Sequence, residues 1–493
     1  MSEKYVLAVD QSTQGTKAIL FDHNGDLYAK TALPHKQIVN EQGWVSHDLE
    51  EIWQNTCLSI KKVIEENNVS EEDIDCIGIT NQRETSCAFD KETGKPLSYA
   101  VVWQCARAET IISELIRKNE NIEETIRQKT GMNLSAYFPA AKYAWLIRND
   151  DNVKKAYETD TLCLGTIDTY LLYRLTEQKV YATDYSNASR TQLFNIHELD
   201  WDEELCEVFD IKKSILPMVH ASSYEFGETT LDGYFDTPVK ITGMIGDSQA
   251  ALFGQGCVEE GMVKATYGTG SSVMMNIGTM PNLSSSGLVT SLGWGYQNRV
   301  CYVLEGNINY SGAVTTWLKD DLKLIETPQE TEAMAFAANP NDITYLVPAF
   351  SGLGAPYWLP DARALIYGMS RTTGRNEIVK AALESIAYQI TDVIEAMKKD
   401  TGQTVSELCA DGGSTTNKFL MQFQADILQA AVIISKCRES SAQGAAYMAG
   451  LCTGIYVYEA LLERTDKSLI SAKMSREERD KKYSGWKEAV SKL

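Results

Sequence analysis

Tyr5-Val6-Leu7-Ala8-Val9-Asp10-Gln11-Ser12-Thr13-Gln14-Gly15-Thr16-Lys17-Ala18-Ile19-Leu20-Phe21 opens with a short β-forming run, breaks at a polar turn containing a glycine, and resumes with a second apolar run. That is a strand, tight loop, strand unit. The unit returns in the second half of the chain, where Met262 to Tyr267 leads through Gly268-Thr269-Gly270-Ser271 into Ser272 to Ile277. The two copies share an architecture and not their letters. Between and after them the pattern alternates. Asp48 with Glu51 marks a helix N-terminus, and Ile52, Trp53, Cys57, Ile60, Val63 and Ile64 follow at helical spacing. Ile74 to Thr80 reads as a strand that ends in Asn81-Gln82-Arg83-Glu84, with a further strand from Ser86 to Phe89. Val239 to Gly246 is an apolar strand, Asp247 falls where it ends, and a helix from Ser248 to Phe253 follows. Glu377 to Lys399 is amphipathic, and Leu408 to Gly413 is a strand entering a glycine turn before a helix at Asn417 to Leu428. Strands and helices alternating in this doubled order give an α/β protein of two domains, 1–245 and 246–493.

Length agrees, since 493 residues exceed what one core normally holds. The hydrophobic share of 44% and the charged share of 23% are those of a folded globular chain. A net charge of -21 repels phosphate backbones and anionic lipid heads, which argues against nucleic acid and membrane surfaces as partners. The 11 cysteines are scattered without a Cys-x-x-Cys pair and read as reduced thiols rather than a disulfide framework or a zinc site. With no signal-like segment and no long apolar run, the expected compartment is the cytoplasm.

Several chemistries are excluded by what is missing: no G-x-x-x-x-G-K-[ST], no H-E-x-x-H and no G-x-S-x-G occurs. His23, His35, His47, His197 and His220 are not spaced to pair as metal ligands. The loop from Asp10 to Lys17 offers instead a carboxylate for Mg²⁺ and its waters, with hydroxyls, backbone N–H groups and one cation for phosphoryl oxygens. Alone it is equally a polar hairpin turn, as Gly268-Thr269-Gly270 is, and Gly412-Gly413 is alone a strand-to-helix turn. Three such loops, each after a strand and ordered for a doubled nucleotide-binding fold, converge on phosphate binding. Arg83 beside Glu84 is either a solvated ion pair or a clamp that donates to and accepts from polyol hydroxyls. Asp247 is either a helix N-cap or the general base that takes a proton from an attacking hydroxyl. Trp103 and Tyr137 are core aromatics or rings set against the C–H face of a polyol.

Longer stretches carry a resemblance. Gly78-Ile79-Thr80-Asn81-Gln82-Arg83-Glu84-Thr85, Val102-Trp103-Gln104-Cys105, Thr183 to Arg190 and Val347 to Trp358 are similar to the FGGY carbohydrate kinases, with the glycerol-phosphorylating members nearest. Tyr137-Phe138-Pro139-Ala140-Ala141-Lys142 leading to Trp145, and Ala364 to Gly368 leading through Glu377 to Glu384, match the two signatures of that family. The resemblance implies two actin/hexokinase-like (ribonuclease H-like) domains with an interdomain cleft, ATP and Mg²⁺, and phosphorylation of a primary hydroxyl, with glycerol going to glycerol 3-phosphate. It assigns Arg83, Glu84, Trp103, Tyr137, Asp247, Ser248 and Ser272 to the polyol, with Asp247 as base. It assigns Asp10 to the metal, Thr13 and Lys17 to the phosphates, and Gly268, Thr269, Gly312, Thr315, Gly413 and Asn417 to the nucleotide. A homo-oligomer, dimer or tetramer, is also implied. Lys17, Ser248 and Ser272 stand where those relatives usually carry Arg, Gln and Phe, so a tetritol or xylulose stays open as substrate. Thr229 to Asp236 lacks the glycine-rich basic stretch that receives a sugar bisphosphate in some of them. From another class, a non-catalytic ATP- and sugar-binding switch on the same fold is the competing expectation.

Overall fold

The computed structural model describes residues 3–435, 437–462 and 467–493. Two mixed sheets organise it. The first is built from β1 (Tyr5–Gln11), β2 (Gly15–Phe21), β3 (Leu27–Pro34), β4 (Ile74–Asn81), β5 (Ser223–Thr229) and β6 (Val239–Gly246), in the order β5-β6-β4-β1-β2-β3. The second contains β7 (Val263–Tyr267), β8 (Ser271–Asn276), β9 (Val289–Tyr296), β10 (Arg299–Ile308), β11 (Glu407–Asp411), β12 (Ala431–Ser435) and β13 (Lys467–Ile470), in the order β9-β10-β8-β7-β11-β12-β13.

The doubling seen in the sequence is a doubling of topology. In the first sheet β3, β2 and β1 run antiparallel, and β1, β4 and β6 then run parallel. In the second, β10, β8 and β7 run antiparallel, and β7, β11 and β12 run parallel. The parallel strands are apolar along their length because both of their faces are covered. Open sheets of this kind bind ligands beyond the carboxyl ends of the parallel strands. Asp10, Asp247 and Asp411 all lie at such ends.

Helices fill the faces. α1 (Leu49–Glu66) starts at Asp48, whose side chain accepts from the Glu50 N–H, and buries Ile52, Trp53, Ile60, Val63 and Ile64. α2 (Asp247–Gly254) leaves the end of β6. α3 (Arg375–Thr401) begins when the Gly374 N–H donates to Glu377 Oε2 at 2.8 Å and stops at Gly402, which takes φ of 73°. α4 (Lys418–Leu428) is capped by Asn417. α5 (Ser440–Thr453) comes from the second half of the chain yet packs on the first sheet. A Cβ on Gly78 would lie 2.4 Å from the Ala445 carbonyl oxygen, and one on Gly444 would lie 1.9 Å from that of Ala250. Val6, Ala8, Ile19 and Phe21 of the first sheet share one buried cluster with Ala445 and Ala449 of α5 and with Met274 and Val303 of the second. This core joins the two lobes on one side and leaves the strand ends open as a cleft. Among the described residues no helix is long and apolar enough to cross a membrane.

Candidate active site

A cavity of about 780 Å³ opens at the strand ends, and Thr13, Trp103, Tyr137, Asp247, Ser272 and Asp411 line it. Asp247 is not the cap of its helix. Gly246 holds the N-cap position, and Asp247 is the first helical residue. Its Oδ1 accepts from the Ser248 N–H at 2.6 Å and sits 3.1 Å from Arg83 Nε. Burial raises its pKa above the ordinary aspartate value, Arg83 opposes that rise and Glu84 adds to it. The carboxylate therefore stands at the cleft floor with an elevated affinity for a proton, which is what a general base needs.

Arg83 and Glu84 do not act as a simple pair. Their closest charged atoms are 3.9 Å apart, and each finds its main partner elsewhere. Glu84 has φ of 61°, a left-handed backbone conformation uncommon outside glycine. Arg83 donates to both oxygens of Glu305, at 3.0 and 2.7 Å, and to Gln249 Oε1 at 3.1 Å. Arg190 Nε donates to Glu84 Oε1 at 2.6 Å, and its Nη1 lies 2.9 Å from Glu305 Oε2. Burial alone would raise the Glu305 carboxyl, but Arg83, Arg190 and Lys264 hold it well below the usual carboxylate range. The clamp is thus a buried charge network, with Arg83 only 6% exposed.

The aromatic wall is assembled around a second buried charge. Trp103 and Tyr137 have ring centroids 5.6 Å apart, and Trp103 Nε1 donates to Thr13 Oγ1 at 3.0 Å, which ties the aromatic wall to the loop between β1 and β2. Behind them Lys142 donates to the backbone carbonyls of Trp103 at 3.0 Å, Glu84 at 3.4 Å and Tyr137. Ser272, at a position expected to face the polyol, has partners of its own. Its hydroxyl donates to Glu305 Oε1 at 3.0 Å and lies 3.4 Å from Lys264 Nζ. Register puts Thr266, Ser272 and Asn307 side by side on three adjacent strands, so a polar row faces the cleft. Ser248 lines the same cavity.

In the loop expected to meet phosphates, Lys17 Nζ lies 3.3 Å from Asp10 Oδ2 and 2.6 Å from Glu439 Oε2. The residues expected at the nucleotide come together around a neighbouring cavity of about 550 Å³ whose lining includes Gly268, Thr269, Gly312, Thr315, Gly413 and Asn417. Gly312 is required there, because a Cβ would lie 2.7 Å from the Gly268 carbonyl oxygen. Asn417 lines this cavity but spends its side chain locally, accepting from the Leu420 N–H and donating to Thr331 Oγ1 at 3.0 Å. For a divalent cation the residues fit: Asp411 Oδ1 is buried with no hydrogen-bond partner among the described residues, and Asp10 stands at the matching strand end of the other sheet. A hydrated cation bridged to phosphates needs no more protein ligands than these.

Glu305, Arg190, Lys264, Glu439 and Asp411 were not singled out in the sequence. Only Asp411 carried a usable signal, because Asp-Gly-Gly at a strand end repeats the situation of Asp10 and Asp247. Glu305, Arg190 and Glu439 have partners more than 100 positions away, and Lys264 stands within a strand, with hydrogen bonds to Thr266 and Ser272 that no local pattern marks.

Comparison with known proteins agrees with this geometry. Residues 5–254 match the model of the FGGY family of carbohydrate kinases, N-terminal domain, and residues 263–452 match that of its C-terminal domain. Glycerol kinase 1 of Thermotoga maritima is 47% identical over 99% of each chain. Glycerol kinase of Brevibacillus brevis is 45% identical over 99% of this chain and 98% of that one. The crystal structure of Plasmodium falciparum glycerol kinase with ADP superposes with a TM-score of 0.93 at 37% identity, covering 99% of this chain and 98% of that one. Xylulose kinase from Lactobacillus acidophilus, at 21% identity and a TM-score of 0.87, shares the fold. With paired strand-loop-strand lobes, a cleft at their strand ends and both family models matched in order, this chain belongs to the FGGY family of carbohydrate kinases.

Proposed function

We propose that the chain transfers the terminal phosphoryl group of ATP to a primary hydroxyl of glycerol, giving glycerol 3-phosphate and ADP. The observation that carries this is Asp247: a carboxylate of raised pKa at the floor of a cavity whose lining also includes the aromatic pair Trp103 and Tyr137 and the loop residues Thr13 and Thr269. In this reading Arg83 and Glu84 orient the polyol, and Asp247 accepts the proton of the attacking hydroxyl as its oxygen bonds to phosphorus and the bond to ADP breaks. Thr13, Lys17 and the amides of both loops meet the phosphoryl oxygens, and Gly268, Thr269, Gly312, Thr315, Gly413 and Asn417 hold the nucleoside end. Mg²⁺ held by Asp10 and Asp411 would neutralise charge on the phosphates. Residues 1–245 thus serve the polyol and 246–493 the nucleotide. Cysteines scattered without a Cys-x-x-Cys pair suit a reducing cytoplasm.

The test is ADP release coupled to glycerol, measured on wild type and on Asp247→Asn. The substitution keeps size and removes basicity, so kcat is expected to fall at least about a hundredfold while ADP affinity is kept. In the wild type, kcat falls as pH drops through the raised Asp247 pKa, because the protonated acid cannot accept a second proton. A variant retaining more than about a tenth of wild-type kcat would move the base elsewhere.

A second reading, a tetritol or ketopentose as preferred acceptor, is favoured by the polar row of Thr266, Ser272 and Asn307, because such a row offers hydrogen bonds to hydroxyls beyond the third. Comparing kcat/KM for glycerol, erythritol, xylitol and xylulose decides between the two.

A further inference from the structure

Of the polar tetrad Asn81-Gln82-Arg83-Glu84 at the end of β4, only the last two residues have a part in the transfer described above. Gln82 is buried, and its side chain is spent on the loop between β1 and β2. Its Nε2 donates to Gln11 Oε1 at 3.0 Å and to the Ser12 carbonyl at 3.2 Å, and Gln11 Nε2 donates to that same carbonyl at 2.8 Å. A carbonyl oxygen only accepts, which fixes the orientation of the Gln82 amide. Its Oε1 accepts from Thr85 Oγ1 at 2.9 Å, and Thr85 Oγ1 in turn accepts from the Trp103 N–H at 3.2 Å. One amide thus joins the loop to the aromatic wall. In a trans peptide the C=O and the N–H point in opposite directions. With the Ser12 carbonyl turned to Gln82, the Thr13 N–H is turned away from it and has no hydrogen-bond partner among the described residues. His35 repeats the device at the next peptide, since its Nε2 donates to the Thr13 carbonyl at 3.0 Å and the Gln14 N–H is likewise left without a partner among the described residues. Ser12, Thr13 and Gln14 all line the cavity at whose floor Asp247 stands.

We propose that Gln82 is a positioning residue for phosphoryl transfer, holding the Ser12 carbonyl and Gln11 so that the Thr13 N–H faces the phosphoryl group in flight. This rests on the kinase reading given above. Gln82 lines neither the Asp247 cavity nor the nucleotide cavity, so it acts through the loop and not by contact with a substrate. A donor aimed in advance needs no reorganisation as charge develops on the phosphoryl oxygens, and one that swings freely stabilises that charge less. Without Gln82 the Ser12 carbonyl keeps only Gln11 Nε2, and Gln11 loses the partner of its own Oε1. The peptide is then free to rotate and to carry the Thr13 N–H out of line.

Two variants of the full-length protein separate the two ends of this amide. Gln82→Met keeps the length of the side chain and removes both donations to the loop together with the acceptor for Thr85. Thr85→Val removes the link to the aromatic wall and leaves both donations in place. For Gln82→Met, kcat is expected to fall about tenfold or more while ADP affinity, measured by calorimetry, stays within about threefold and shows that the variant is folded. Aluminium fluoride, which with ADP and Mg²⁺ stands in for the phosphoryl group in flight, should bind Gln82→Met more weakly by the same factor as the loss in kcat. For Thr85→Val, kcat should stay within about twofold while KM for the acceptor rises about threefold or more. Rates are measured with whichever of glycerol and xylulose the wild type turns over faster, so a wrong acceptor overturns the reading above and leaves the comparison of variant with wild type standing. A Gln82→Met enzyme with more than about half of wild-type kcat, unchanged affinity for aluminium fluoride, or a Thr85→Val enzyme that loses as much kcat as Gln82→Met would overturn the proposal.

Discussion

Lys142 is fully buried, and it holds the wall proposed to receive the polyol. Its ammonium has three N–H groups, and they meet the three carbonyls of Glu84, Trp103 and Tyr137. Burial lowers its pKa to about 7, with Glu84 pulling the other way. The neutral amine has two N–H groups and cannot serve three acceptors, so the polyol wall should loosen as pH rises through the lowered pKa. We expect KM for glycerol to climb between about pH 7 and pH 9 in wild type, and Lys142→Met to show a raised, pH-independent KM with ADP affinity unchanged. A wild-type KM that stays flat to the ordinary lysine range would show that the ammonium persists and that its positioning role does not titrate. Lys17 acts at the other end of the reaction. It is expected beside the phosphoryl group in transfer, so Lys17→Ala should lower kcat/KM for ATP well beyond its loss of ADP affinity, and equal losses would contradict that placement. The two lysines differ in how far the sequence revealed them. Lys17 stood in a polar loop among phosphate-binding residue types, whereas Lys142 lay in an apolar helix where charge alone named no partner, and its partners are backbone carbonyls that no side-chain pattern marks.

Elements were legible where one face is buried and one is wet. α1 and α3 showed helical spacing, and β6 followed by α2 was marked by an apolar run ending at a polar residue. α5 gave no such pattern. Its run Ser440-Ser441-Ala442-Gln443-Gly444-Ala445-Ala446-Tyr447-Met448-Ala449-Gly450-Leu451 is buried almost all round, which erases the period of 3.6. Small residues make its packing possible. Gly254 and Gly444 let α2 and α5 cross in contact, and a Cβ on Gly254 would lie 2.3 Å from the Ser440 carbonyl oxygen. Backbone on both sides cannot yield, so Gly444→Ala must separate the helices that join the lobes. We expect a loss of about 1–3 kcal/mol or more in denaturant unfolding, offset little by the better helix propensity of alanine. Because α2 carries Asp247 at its other end, kcat should fall with it. A variant as stable as wild type would show that the crossing relaxes at no cost.

At the scale of the whole molecule, the end of the cleft at Arg83, where the polyol is proposed to bind, is pinned across the lobes and the proposed nucleotide end is not. Glu305 comes from the second sheet, while Arg83 and Arg190, which surround it, come from the first half of the chain. The cavity lined by Gly268, Thr269, Gly312, Thr315, Gly413 and Asn417 is formed by the second half alone. The doubled strand-loop-strand unit could be read from the sequence, but this pin could not, since it depends on which distant charges the folded lobes bring together. Glu305 is fully buried and serves Arg83, Arg190 and Ser272 at once, so Glu305→Gln leaves two guanidinium groups short of one negative charge. Breaking a buried pair of this kind costs about 3–5 kcal/mol, and the amide recovers part of that as a neutral acceptor. Freed of Glu305, Arg83 turns toward Asp247, lowers its basicity and withdraws from the polyol. Glu305→Gln should therefore lower kcat/KM for glycerol about a hundredfold or more, while ADP affinity stays within about twofold because its cavity shares no residue with the pin. A loosened cleft also admits water, so ATP hydrolysis without glycerol should rise relative to transfer. If ADP affinity fell as far as kcat/KM for glycerol, the pin would be holding the second lobe itself, and the separation of polyol and nucleotide functions between the lobes would fail with it.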